Sequence, residues 1–137
     1  MSQINGQEVI EKKMCNAKIE GATPNFTAYF ATFVTGGLGG AIAFAGVMGA
    51  FKKMMGGLWV GGNVYLTTES IIFKPNKLNT ALQSNIDAVE IPLKDIVNLN
   101  KEFGVITGII SINTDSGSLK VRCYNASGFM ERINEIL

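Results

Sequence analysis

Histidine is absent from this chain, and cysteine, proline and tryptophan are scarce: two Cys, three Pro and one Trp among 137 residues. Without histidine the chain lacks the side chain most used for proton transfer near neutral pH, which is also the commonest metal ligand. The acidic residues are scattered, with no spacing that suggests a paired general acid and base. No Gly-x-x-x-x-Gly-Lys-Ser/Thr loop occurs despite 16 glycines. These absences argue against an enzyme and against a bound metal or cofactor. Cys15 and Cys123 lie far apart in sequence, and two lone thiols in a small chain are expected to stay reduced. The start, Met-Ser-Gln-Ile-Asn-Gly-Gln-Glu, lacks a basic stretch followed by an apolar core. No secretory signal is therefore evident, and the chain reads as cytosolic or facing the cytosol.

Charge is also sparse. Charged residues make up 17% of the chain and the net charge is +1, so no strong global field draws it to nucleic acid. Met1 to Lys77 holds seven Lys against four Glu, whereas the remainder holds five basic and seven acidic residues. The largest gap in charge lies between Glu20 and Lys52, where 31 consecutive residues carry none. That stretch is rich in phenylalanine, alanine and glycine, and 11 of the 16 glycines fall between Gly21 and Gly62.

The length predicts one domain, residues 1–137, with a sizeable core. Ile4 to Lys13 reads as weakly helical or extended. Cys15, Ala17 and Ile19 then alternate with Asn16, Lys18 and Glu20, predicting a half-buried strand that ends at Gly21. Phe26, Phe30, Phe33 and Val34 recur at helical spacing, a glycine cluster at Gly36 to Gly40 interrupts them, and Ala41 to Met55 is again helical. This predicts two helices about a glycine hinge. Period-two patterning follows: a hairpin through Val64, Leu66 and Ile71 to Phe73, then strands at Ala88 to Leu93, around Val97 and Leu99, at Ile109 to Thr114, and at Leu119 to Cys123. Asp115 to Ser118 is a turn signal. Phe129, Met130, Ile133, Ile136 and Leu137 form the stripe of a terminal amphipathic helix, capped by Asn125 or Ser127.

Two stretches carry a resemblance. Gly62 to Phe73, GNVYLTTESIIF, and Ile91 to Ile96, IPLKDI, in that order and spacing, resemble the GRAM domains of the pleckstrin-homology superfamily. A β pair around Thr114 to Gly117 and a terminal helix with Phe129 follow as in that family. The likeness covers Gly62 to Leu137 well and Glu8 to Gly21 more loosely. It implies a mainly β barrel of two near-orthogonal antiparallel sheets, capped by a C-terminal helix, and a non-catalytic module recruited to membranes or lipid headgroups. Two departures stand out. About 40 residues, Ala22 to Gly61, occupy the place of a short loop between the first two strands, and Thr68-Glu69-Ser70 replaces a basic hairpin turn.

The insertion has the length of a bilayer span. A single crossing would place the first strand and the rest of the barrel on opposite sides of the membrane, and two crossings do not fit. A soluble helical hairpin packed on the barrel or on a sister subunit, or a shallow membrane hairpin, remains. The candidate contact residues for lipid or partner are Phe30, Phe33, Phe44, Phe51, Lys52, Lys53, Trp59, Lys74 and Lys77. The lysines suit anionic headgroups. Trp59 reads as an interfacial marker or as a barrel plug. The alternative function is a homo-oligomerising or protein-binding adaptor with no lipid ligand.

Overall fold

The computed structural model describes residues 3–4, 6–31, 49–76, 88–102 and 107–137. Strands β1 (Gln3–Ile4) and β2 (Gln7–Glu20) come first. A 3-10 helix, Pro24–Tyr29, and the short β3 (Phe30–Ala31) follow. Helix α1 (Gly49–Met55) precedes β4 (Val60–Thr67), β5 (Ser70–Pro75), β6 (Ala88–Pro92), a 3-10 turn (Leu93–Asp95), β7 (Asn98–Glu102), β8 (Gly108–Thr114) and β9 (Gly117–Cys123). Helix α2 (Ala126–Ile136) closes the chain. The hairpin, the strands that follow it and the terminal helix stand where the patterning predicts them.

The strands form one antiparallel path, β3-β6-β5-β4-β2-β9-β8-β7, with β1 paired to β2 off the path. The reason is β2. At 14 residues it is long enough to pair with β4 over Val9 to Ala17 and with β9 over Asn16 to Glu20. A bulge between Val9 and Glu11 bends it. The ladder therefore stays continuous through the bend. Ile4 to Lys13, weakly helical or extended on sequence, is strand in its described part except at Gly6, where the chain turns at φ 76°.

The insertion departs from its predicted helices at the start. Pro24 suits a first helical turn, but the 3-10 helix ends at Tyr29. Phe30 is extended (φ −73°, ψ 130°) and pairs with Val89. Helical spacing of Phe26 and Phe30 thus reflects two rings directed into one core from different elements. The predicted helix Ala41 to Met55 is present as Gly49–Met55; its earlier part, the glycine hinge and Phe33 and Phe44 lie outside the described residues.

One core joins these elements. Phe26, Phe51, Phe73 and Phe129 are fully buried with Ile71, Ile91, Ile110, Ile112, Leu119 and Val121. Burial of each such side chain contributes about 1.5–3 kcal/mol. Helix α1 adds Ala50, Phe51 and Met54, and α2 adds Ala126, Phe129 and Ile133. A buried polar cluster sits at the β4–β5 turn. Thr67 Oγ1 accepts from the amides of Glu69 and Ser70 at 3.1 and 2.9 Å, and Thr67 and Ser70 hydroxyls both lie 2.6 Å from Gln7 Oε1. Gln7 Nε2 in turn donates to Glu90 Oε2 at 2.7 Å, which satisfies the cluster.

Candidate functional site

The outward face of the sheet follows from alternation. With Ala17 and Ile19 committed to the core, Asn16, Lys18 and Glu20 of β2 face outward. On β9 the inward Leu119, Val121 and Cys123 leave Lys120 and Arg122 outward. Register sets Asn16 opposite Arg122 and Lys18 opposite Lys120. On the other flank, Ala17 pairs with Val60, so the next step along places Trp59 beside Lys18.

Trp59 is the centre of this face. Lys18 Nζ lies 4.9 Å and Arg122 Cζ 4.5 Å from its ring centre, both within cation–π range. Strands β4 and β9 flank β2, two strand spacings or about 10 Å apart. The Trp59 and Arg122 side chains must therefore meet above β2. Trp59 is half-buried on the outside of the sheet, so it does not plug the barrel. Neutralisation of the neighbouring lysines is unequal. Glu20 holds Lys18 at 2.9 Å and Lys120 at 3.2 Å, and Glu102 holds Lys120 at 2.7 Å. The Lys18 hydrogen bond, with that of Lys120, keeps the Glu20 carboxyl below the usual range. The Glu102 bond chiefly raises Lys120. Among the described residues no carboxylate lies within ion-pair distance of Arg122.

Next to Trp59 the α1–β4 junction is exposed. Lys52, Lys53 and Met55 lie on the wet side of α1, and Leu58 is 59% exposed in the link to Trp59. Gly57, at φ +87°, turns the chain there, and the amide of Leu58 donates to the carbonyl of Lys53 at 3.0 Å. The cations and apolar side chains of this short link thus share one free rim.

The remaining sequence candidates separate. Phe30 and Phe51 are buried, and their ring centres lie 5.6 Å apart, so both are used within the domain and cannot serve as outward contacts as placed. Lys74 is on β5 opposite Asn63, half-buried and engaged in a contact of its own. Phe33, Phe44 and Lys77 lie outside the described residues. The alternation of β2 sets Lys18 apart from the inward residues, but no local pattern joins Lys18 or Arg122 to Trp59. Their meeting depends on the pairing of β2 with β9, residues about 100 apart, which no local signal encodes.

Two other features complete the inventory. Cys15 and Cys123 are free, and burial pushes both thiols above the usual range, which keeps them protonated and slow to react. A second hollow is lined by Tyr29, Glu90, Pro92, Lys94 and Asp95, but Tyr29 donates to Asp95 at 3.1 Å and Glu90 accepts from Gln7. Among the described residues no cluster of three or more acidic or cysteine ligands is placed to hold a metal, and no helix is long and apolar enough to cross a membrane.

A model of the GRAM domain family matches residues 23–129. Among solved structures, the Vps36 N-terminal PH domain is similar at 13% identity and a TM-score of 0.43, over 56% of this chain and 61% of that chain. This chain thus spans less than two thirds of that structure's length. No curated protein matches.

Proposed function

From the membership of this chain in the GRAM domain family, we propose that it is a non-catalytic module that docks on membranes carrying anionic lipid. One observation carries the reading: the free rim where Lys52, Lys53, Met55 and Leu58 run into Trp59. Ammonium groups beside exposed apolar side chains and a half-buried indole suit the boundary between headgroups and acyl chains. Each lysine near an anionic surface contributes up to about 1 kcal/mol, and salt screens that term. The apolar insertion would add to this contact, and docking would be peripheral at the cytosolic face.

Sedimentation with phosphatidylcholine vesicles, with and without phosphatidylserine, tests the reading. The protein should pellet with the phosphatidylserine vesicles and less so at high salt. Lys52→Glu/Lys53→Glu, both on the exposed side of α1, should weaken pelleting about tenfold or more without lowering thermal stability. Equal pelleting of the charge-reversed protein, or none by the natural one, would rule the proposal out.

A further inference from the structure

The ladder between β2 and β9 stops at Asn16 and Arg122. Beyond that pair β2 continues along β4 and, at Gln7 and Glu8, along β1, while β9 ends at Cys123 and turns into α2 through Tyr124. The two chains part, and an open hollow of about 360 Å³ lies in the split. Cys15 and Cys123 line it with neutral thiols; Asn16, Thr107 and Arg122 bring polar side chains to it; Met14 and Tyr124 complete the lining.

The chemistry of that lining points one way. The side chains of Asn16, Thr107 and Arg122 each present N–H or O–H donors, and none makes a hydrogen bond with another described residue. Among the described residues no carboxylate lines the hollow. Among the described residues no carboxylate lies within ion-pair distance of Arg122, in contrast to Lys18 and Lys120. Its guanidinium lies over the Trp59 ring, which steadies the group, and its N–H donors make no hydrogen bond with another described residue. Converging donors around a cation fit an anion with several oxygen acceptors, and a guanidinium edge matches phosphate in particular. The rim adds a second constraint. Met14 is 82% and Tyr124 67% exposed, and both flank the opening. An apolar and an amphipathic side chain kept in water beside an anion site suit a ligand that arrives in a membrane.

We propose that this hollow takes the phosphate group of an anionic phospholipid headgroup. Arg122 grips the phosphate along its N–H edge, Asn16 and Thr107 donate to the remaining oxygens, and Met14 and Tyr124 rest in the interface around it. The inference rests on the membrane reading above and adds to it a headgroup site on a different part of the surface from Lys52 and Lys53.

Trp59, the sole tryptophan, reports on this site directly. The full chain would be titrated with phosphatidylcholine vesicles containing phosphatidylinositol 4-phosphate, with plain phosphatidylcholine vesicles, and with soluble inositol 1,4-bisphosphate. The phosphoinositide vesicles should shift Trp59 emission and bind selectively. Arg122→Gln should weaken that binding about tenfold or more, and Asn16→Ala, which keeps the Arg122–Trp59 stack, several-fold. Met14→Ser, at an exposed position, should weaken vesicle binding while leaving inositol bisphosphate unaffected. Unchanged emission with undiminished vesicle binding by Arg122→Gln and Asn16→Ala overturns the headgroup site and leaves the membrane reading standing. Failure of the natural protein to bind any anionic vesicle overturns both. Preference for the soluble bisphosphate, or for a single-stranded oligonucleotide, over the vesicles overturns the lipid assignment alone.

Discussion

Gly62 is a position where the main chain comes too close to its neighbour for any side chain. It faces the core at the start of the β4–β5 pair, opposite Pro75, and a Cβ there would lie 2.8 Å from Pro75 Cα and 2.9 Å from Phe73 Cζ. Backbone cannot yield as a flexible side chain can, so Gly62→Ala is expected to cost about 2 kcal/mol or more. Gly56→Ala meets only ordinary contacts, 3.5 Å from the carbonyls of Lys52 and Lys53, and should cost far less. Urea denaturation of the two variants compares them, and equal midpoints would contradict the argument. The sequence made Gly62 visible as the first residue of its motif but gave no reason for it. The reason is a cross-strand approach, which appears only once β4 and β5 are in register. Thr67 was legible in the same partial way. Its place in a turn was plain from Thr67-Thr68-Glu69-Ser70, whereas its bond to Gln7 links positions 60 residues apart.

At the scale of elements, the terminal helix was the most readable, because its start and its stripe are both local. Asn125 caps it in the left-handed region, φ 51° and ψ 48°, and its side chain accepts from the amide of Gly128 at 3.4 Å. Alanine would lose the acceptor and tolerate that backbone poorly, whereas glycine loses only the acceptor. Asn125→Ala should therefore destabilise the protein by about 1 kcal/mol and Asn125→Gly by only a few tenths. Thermal or urea unfolding of the pair tests this, and a glycine variant as weak as the alanine one would remove the left-handed contribution. The strand β2 was legible over its alternating half, Cys15 to Glu20, and not over Ile4 to Lys13. In that earlier part the bulge breaks the period, and the inward Glu11 and Lys13 are polar: Lys13 Nζ donates to the Tyr124 carbonyl at 2.8 Å and lies 4.0 Å from Glu11. The phenylalanines of the insertion misled for a related reason. A helical period can arise from rings on a 3-10 turn and a strand that converge on one core, and periodicity alone does not separate the two.

For the whole molecule, the charge inventory sets the response to pH. Glu20 has a lowered pKa in the fold, so its contribution is present above the ordinary carboxylate range and is lost as pH falls through the lowered value. Cys15, Cys123 and Tyr29 are raised, chiefly by burial, and Lys120 is raised, chiefly by Glu102. Their contributions are present at neutral pH and are lost as pH rises through the raised values. With no histidine, no side chain is set to titrate between these limbs. The urea midpoint should accordingly stay level from about pH 6 to 8 and decline on either side, with the thiols opening the alkaline decline; a step near pH 6.5 would contradict this. Fold class, strand count after the insertion and the terminal helix were readable because each rests on local pattern. The single continuous path and the Trp59–Arg122 contact were not, because both depend on one long strand joining distant partners.

That arrangement also bears on how the insertion can change. The chain leaves the described fold after Phe30–Ala31 and re-enters it at Gly49, and the rings of Phe30 and Phe51 on the two sides lie 5.6 Å apart. Departure and return are thus stitched together by the core itself, whatever lies between. Lengthening such an excursion costs only about 0.6 kcal/mol for each doubling. The stretch 32–48 can therefore drift in length and composition under separate selection, while Phe26, Phe30 and Phe51, which look in the sequence like part of the same apolar run, remain bound in the core of the sheet.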